Sequence, residues 1–197
     1  EVKENGKIVI KYKLIAEFLQ QIEDEFIELI EESGQIIIKT EKINSEFSTY
    51  DPENYPATPT LELGVEYNFD KQKLLESIEK ARIAASLTPE NLAVNCIRFE
   101  IEENKLKLVS SDTYRLIYLE EELDEEEKNK ESLSVSIPLK TMDGLLKIMK
   151  LTSEDKIVLK SDGTKVYFQM GDVEILTRVI ELQFPDYKAI LTGAQYD

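Results

Sequence analysis

Histidine and tryptophan are absent from this 197-residue chain, and cysteine occurs once. Without histidine the commonest general base and metal ligand are gone, and so is every Ser/His or Cys/His nucleophile pair. The lone cysteine, Cys96, stands between Asn95 and Ile97 in an apolar stretch, so no disulfide framework exists. No run approaches the roughly 18 apolar residues of a membrane span, and the opening Glu1-Val2-Lys3-Glu4 has none of the features of a signal peptide. A soluble globular protein of the cytoplasm, with no cofactor and no metal, is the expectation. Cations are also scarce: 24 Lys and Arg against 40 Asp and Glu give a net charge of −16, which at first sight argues against nucleic acid, whose phosphates are bound through Lys and Arg.

Net charge is not charge distribution. Much of the acid lies in Glu120-Glu121-Glu122 and Asp124-Glu125-Glu126-Glu127, a run expected in a solvated loop between strands because packed like charges repel. A second cluster, Glu23-Asp24-Glu25 with Glu28, Glu31 and Glu32, is expected in another loop and its flanking strand. With those set aside, what matters is where the remaining lysines point.

The chain repeats itself. Gly34 and Gly163 occupy the same turn context, Glu-Ser-Gly and Ser-Asp-Gly, each followed by an apolar strand, and the same offset of 129 residues separates Pro56 from Pro185. Upstream, Lys13 and Lys140 each open a segment whose apolar residues recur at helical spacing, which marks duplicated structural units. The first unit reads as a strand at 7–11, a helix at about 13–22 and strands near 26–31, 35–40 and 44–50. The middle unit reads as a strand at 65–67, a helix capped by Asp70 and carrying Leu74, Leu75, Ile78 and Ala81, then strands at 92–101, 105–110 and 114–119. The last reads as a strand at 133–137, a helix at 139–149 and strands at 156–160, 164–170 and 173–180. This is an α+β chain of three βαβββ units. The proline-rich 49–64 stretch is a linker by composition, so 1–62 forms one domain and 63–197 another. The first unit, alone in its domain, is expected to leave apolar surface uncovered, either because the chain is part of a longer protein or because the unit pairs with another molecule.

Ser111-Asp112-Thr113-Tyr114-Arg115-Leu116 after an apolar strand, and Phe184-Pro185-Asp186-Tyr187 after the last strand, resemble the paired signatures of the bacterial sliding clamp, the beta subunit of DNA polymerase III. Ile137-Pro138-Leu139-Lys140 and Tyr55-Pro56 fit the same pattern, and the resemblance covers nearly the whole chain. It implies a DNA clamp fold with antiparallel sheets outside and helices on the inner face. The chain would hold the second half of domain one and all of domain two, and would lack domain three. In the family, three such domains make a subunit and two subunits close into a homodimeric ring around duplex DNA. The ring is a non-catalytic processivity factor. Here Thr113 and Tyr114 replace a usual glycine and histidine, and Ala189 stands where a longer, often basic, side chain is common.

Two sites follow from the resemblance. Val94, Ser111, Thr113, Tyr114, Arg115, Leu116, Pro185, Ala189 and Ile190 would wall a hydrophobic cleft for short peptides of DNA polymerase subunits, the clamp loader and repair proteins. Lys73, Lys80, Arg82, Lys140, Lys147 and Lys150 would face double-stranded DNA without reading its sequence; the residues seven apart share a helix face. The plainer alternatives are that Arg115 pairs with Asp112 or Asp186, that Leu116 is core, and that the lysines are an ordinary solvated face. An enzyme would need a carboxylate pair such as Asp112 and Asp186, with no phosphate loop or metal spacing to support it. An acidic protein-interaction scaffold would have its helical lysines paired to Glu76, Glu79 and Asp143.

Overall fold

A computed structural model describes residues 2–57 and 64–193. The chain forms two compact units, Glu1–Thr58 and Pro59–Asp197. The boundary expected between residues 62 and 63 lies outside the described residues.

In the first unit, helix α1 (Tyr12–Leu19) sits with an antiparallel sheet in the order β1 (Glu28–Glu32), β2 (Gln35–Lys39), β3 (Asn44–Ser48). Ser33 and Gly34 both take positive φ, 52° and 77°, which makes the tight β1–β2 turn. Its buried apolar residues are Ile15, Ile36 and Ile38, with Phe18 edge-on to Phe47 at 4.9 Å. Phe26 (78% exposed), Leu29, Tyr12 and Leu14 remain in water, as expected of a unit with a thin core. The strand expected at 7–11 is reduced to one bridge, Val9 to Tyr50, because among the described residues no neighbouring strand continues the ladder there. The helix expected to reach Ile22 ends at Leu19.

The second unit holds two four-stranded antiparallel sheets. One has the order β11 (Val173–Arg178), β10 (Lys165–Met170), β9 (Lys156–Ser161), β4 (Val65–Asp70). The other has the order β7 (Leu116–Glu122), β6 (Lys105–Ser111), β5 (Cys96–Glu102), β8 (Leu133–Pro138). Helices α2 (Lys71–Arg82) and α3 (Leu139–Leu151) follow β4 and β8 directly. Each repeat thus gives its first strand to the other repeat's sheet: β4 pairs with β9, Tyr67 opposite Leu159, and β8 pairs with β5, Ile137 opposite Ile97. One contiguous core joins both sheets and both helices, including Phe99, Leu108, Phe168, Leu74, Ile78, Met142 and Leu145. Asp70 ends β4 and caps α2, accepting the Lys73 N–H at 2.8 Å.

Several boundaries differ from the sequence expectation. β5 starts at Cys96 rather than residue 92, because Asn91 draws the N–H groups of Val94 and Asn95 into a turn. β7 starts at Leu116 rather than 114, since Tyr114 and Arg115 belong to a hydrogen-bonded turn. β11 ends at Arg178, after which the Ile180 N–H donates to the Ser136 carbonyl on β8. Helix α4 (Tyr187–Gly193) was not expected at all.

The acidic run is a loop of solvated charge only in part: Asp124, Glu125 and Glu126 are exposed between β7 and β8, and the rest is not. Glu120–Glu122 lie in β7, where Glu120 is paired with Lys105 at 2.5 Å and Glu121 accepts from Ser77. Glu127 is 4% exposed, held by Lys130 at 2.6 Å and by the Asn68 N–H at 2.8 Å. A carboxylate with those donors is stable where an unpaired one would not be. Burial pushes the Glu127 carboxyl up, but Lys130 and Asn68 outweigh it and hold it below its ordinary value of 4.5. Asp112 and Asp162, which accept backbone N–H groups in turns, are also held low. Their contribution is complete above the unfolded pKa and is lost as pH falls through the lower folded values. Stability should therefore be flat near neutrality and fall below about pH 4.5. Glu127→Gln should shrink that acid-side drop, as read by urea midpoints across pH.

Candidate partner cleft and nucleic-acid face

The outer face of the β7-β6-β5-β8 sheet alternates with its core face at the two-residue period of strands. Across it run two rows, Ser136, Arg98, Val109, Tyr118 and then Ser134, Glu100, Lys107, Glu120. The chain after β11 lies over this face. Phe184 and Tyr187 are buried there with Cys96 and Val109, and Leu116, Tyr118, Ile180 and Leu191 pack around them. This second, smaller apolar cluster brings the two sequence signatures together.

The Ser111–Leu116 turn is built from its own side chains. Asp112 accepts the N–H groups of Tyr114 and Arg115 at 3.1 and 3.0 Å and takes the Arg115 Nε at 2.8 Å. Ser111 Oγ accepts the Thr113 N–H and donates to the Arg115 carbonyl. Thr113 consequently sits at φ 79°, a conformation in which a β-branched residue is strained. The same bonds recur in Ser161-Asp162-Gly163-Thr164-Lys165, where the corresponding position is Gly163 at φ 85°. Thr113→Gly should accordingly stabilise the unit by roughly 0.5–1 kcal/mol, the strain relieved less the extra entropy glycine loses. A urea midpoint that falls would contradict this.

The expected cleft residues divide by environment. Leu116 and Pro185 are half-buried, Ser111 is buried, and Thr113, Arg115 and Ala189 are exposed. Tyr114 is 97% and Ile190 54% exposed, open to a ligand. Arg115 is paired with Asp112, as the plainer reading had it, whereas Leu116 is not core. Val94 is buried in the turn before β5 and belongs to neither apolar cluster. Val109, Tyr118 and Leu191 were not anticipated in this apolar cluster, although the alternation of Leu116 with Tyr118 and of Val109 with Ser111 carries the signal. Burial, followed by the Glu120 carboxylate, pushes the Tyr118 hydroxyl up to about 12. The Tyr187 hydroxyl is pushed up by burial and by its bond to Glu100 at 2.7 Å. Asp112 and Asp186, the conceivable acid–base pair, are both engaged in backbone capping, Asp186 with the Ala189 N–H. Among the described residues no cluster of acidic or cysteine side chains is placed to hold a metal. No described helix is long and apolar enough to cross a membrane.

Helices α2 and α3 pack side by side and antiparallel, tied by Arg82 to Asp143 and by Lys150 to Glu79. Their buried stripes, Leu74, Leu75, Ile78 and Ala81 on α2 and Met142, Leu145, Leu146 and Met149 on α3, leave Lys73, Lys80, Arg82, Lys140, Lys147 and Lys150 exposed. Lys73 stands 3.7 Å from Asp124. Lys80, Lys140 and Lys147 have no ion pair among the described residues. Within these two helices seven cations face three carboxylates, a net +4 in a chain of −16.

Residues 68–186 match the family model of the DNA polymerase III beta subunit, central domain. The beta sliding clamp of Mycoplasma capricolum is 24% identical over 187 residues, covering 94% of this chain and 49% of that protein. The DNA polymerase III beta subunit of Thermotoga maritima superposes with a TM-score of 0.83 at 28% identity, over 97% of this chain and 51% of that one. The Helicobacter pylori beta clamp bound to a DNA ligase peptide gives 0.83 at 23% identity, over 98% and 54%. The chain spans about half the length of the curated relatives it matches. With the clamp fold in place and the family's central domain matched across most of its second unit, the chain belongs to the bacterial DNA polymerase III beta subunit family, the sliding clamps.

Proposed function

We propose that this chain is the part of a sliding clamp that carries the partner-binding cleft, with 1–62 the second half of domain one plus linker and 63–197 domain two. In the complete homodimeric ring it would encircle duplex DNA and recruit polymerase subunits, the clamp loader and repair proteins, without itself catalysing a reaction, in the cytoplasm. The observation that carries this reading is the cluster of Leu116, Tyr118, Phe184, Tyr187 and Leu191, an apolar rim to which the exposed Tyr114 and Ile190 are close along the chain. A rim of this kind suits a short peptide with apolar anchors, and the relative from Helicobacter pylori holds a DNA ligase peptide. Titrating that ligase peptide into this protein by calorimetry is the test; no heat at concentrations that saturate a full-length clamp would overturn the reading.

The +4 surface of α2 and α3 suits phosphate contact that is weak enough to slide. The pairs Arg82–Asp143, Lys150–Glu79 and Lys73–Asp124 favour the second reading, a scaffold that never touches DNA. Charge reversal at Lys80, Lys140 and Lys147 in an assembled ring separates the two. The clamp reading expects salt-sensitive DNA retention to drop with peptide binding unchanged, and the scaffold reading expects no change in retention. The 197-residue chain alone should show little DNA affinity at physiological salt.

A further inference from the structure

We infer that Tyr187, through its hydroxyl on Glu100, is the positioning residue that holds α4, and with it the Ile190 side of the cleft, in place for a peptide; the inference rests on the cleft reading above.

Helix α4 has seven residues, too few to persist by its own hydrogen bonds. Its inner contacts are few. Tyr187 is its one buried residue and Leu191 is half-buried, while Lys188, Ala189, Ile190 and Thr192 are exposed. Beside it the chain is undercut by a cavity of about 530 Å³ between residues 179–188 and the sheet, lined by Arg98, Glu100, Ser134, Ser136, Phe184 and Tyr187. Packing therefore holds this segment chiefly at Phe184 and Tyr187, with Leu191 resting half-buried against the same cluster.

The polar groups under Tyr187 form one connected chain. Arg98 donates to Ser134 and Ser136 on β8 and from Nε to Glu100 at 3.0 Å. The other Glu100 oxygen accepts the Tyr187 hydroxyl at 2.7 Å, with Lys188 at 3.8 Å. Lys188 also reaches Glu102, which is paired with Lys107. Glu100 is itself 8% exposed, so a missing hydroxyl would leave a buried carboxylate oxygen short of its donor. The ring of Tyr187 lies 5.8 Å from Tyr118, next to Leu116 on the cleft side. One side chain thus touches the sheet network with its hydroxyl and the cleft cluster with its ring.

The test is Tyr187→Phe, which keeps the ring and its burial. Amide hydrogen exchange should accelerate about tenfold or more at Ala189–Leu191 while β5 and β6 exchange as in the wild type, and the ligase peptide should bind roughly tenfold more weakly. Glu100→Gln, which retains an acceptor for the hydroxyl, should stay within about threefold of wild type in the exchange of α4. Unchanged α4 exchange in Tyr187→Phe, or an acceleration spread over the whole sheet, overturns the inference, as does accelerated α4 with undiminished peptide affinity. A wild type that binds no peptide refutes the cleft reading, and the exchange data then show separately whether Tyr187 holds α4.

Discussion

Phe99→Ala lowers the stability of the Pro59–Asp197 unit by about 3–5 kcal/mol. Phe99 is fully buried at the middle of β5, the strand with neighbours on both sides, opposite Leu108 on β6 and Val135 on β8. All three side chains belong to the core shared by the two sheets and the two helices. Removing the ring opens a cavity that strands paired on both edges cannot close by shifting, so the cost stands near the top of the range for phenylalanine. Urea denaturation should move to a lower midpoint with an unchanged slope, since the surface exposed on unfolding stays the same. A midpoint shift worth less than about 1 kcal/mol would mean the core is not continuous across the sheet.

Leu116→Asp reduces affinity for a clamp-binding peptide by roughly 100-fold, equivalent to about 2.7 kcal/mol, while the protein stays folded. The side chain is half-buried on β7, an edge strand, so its replacement can turn toward water in the free protein. With a peptide seated, the carboxylate would be shut in among Tyr118, Phe184, Tyr187 and Leu191 with no donor. Circular dichroism reports the fold and calorimetry the affinity; equal binding by the two proteins would remove the cleft assignment.

What the sequence made legible was whatever is decided within a few residues. Helical spacing located α2 and α3, Asp70 announced its cap, and glycines at 34 and 163 marked turns. Residues whose environment is set from elsewhere in the chain were misread. Glu127 looked like one more solvated acid, yet its partner Asn68 is 59 residues away. Glu100 lies in an alternating strand and faces outward, but the chain after β11 covers it. Helix α4 carries too little apolar periodicity in seven residues to stand out, and it is anchored mostly by its first residue. Thr113 hid a left-handed turn because the fixing bonds come from Ser111 and Asp112 rather than from a glycine. Val94 was placed by resemblance on a strand that begins two residues later. The six helical cations lie exposed on α2 and α3; the ion pairs of Arg82 and Lys150 depend on a neighbouring helix, and that of Lys73 on Asp124 after β7, none of which a single helix reveals.

The loan of opening strands between the repeats also sets an order of events during synthesis. β4 leaves the ribosome early, but the edge it completes belongs to β9, some 90 positions later in the chain. The β7-β6-β5-β8 layer is finished once residue 138 has emerged, but until residue 161 follows β4 must wait as an unpaired ribbon. Long-range closure of this kind slows folding and exposes nascent chain to association. A stalled ribosome releasing the product before β9 would therefore leave both repeats incomplete rather than one repeat whole.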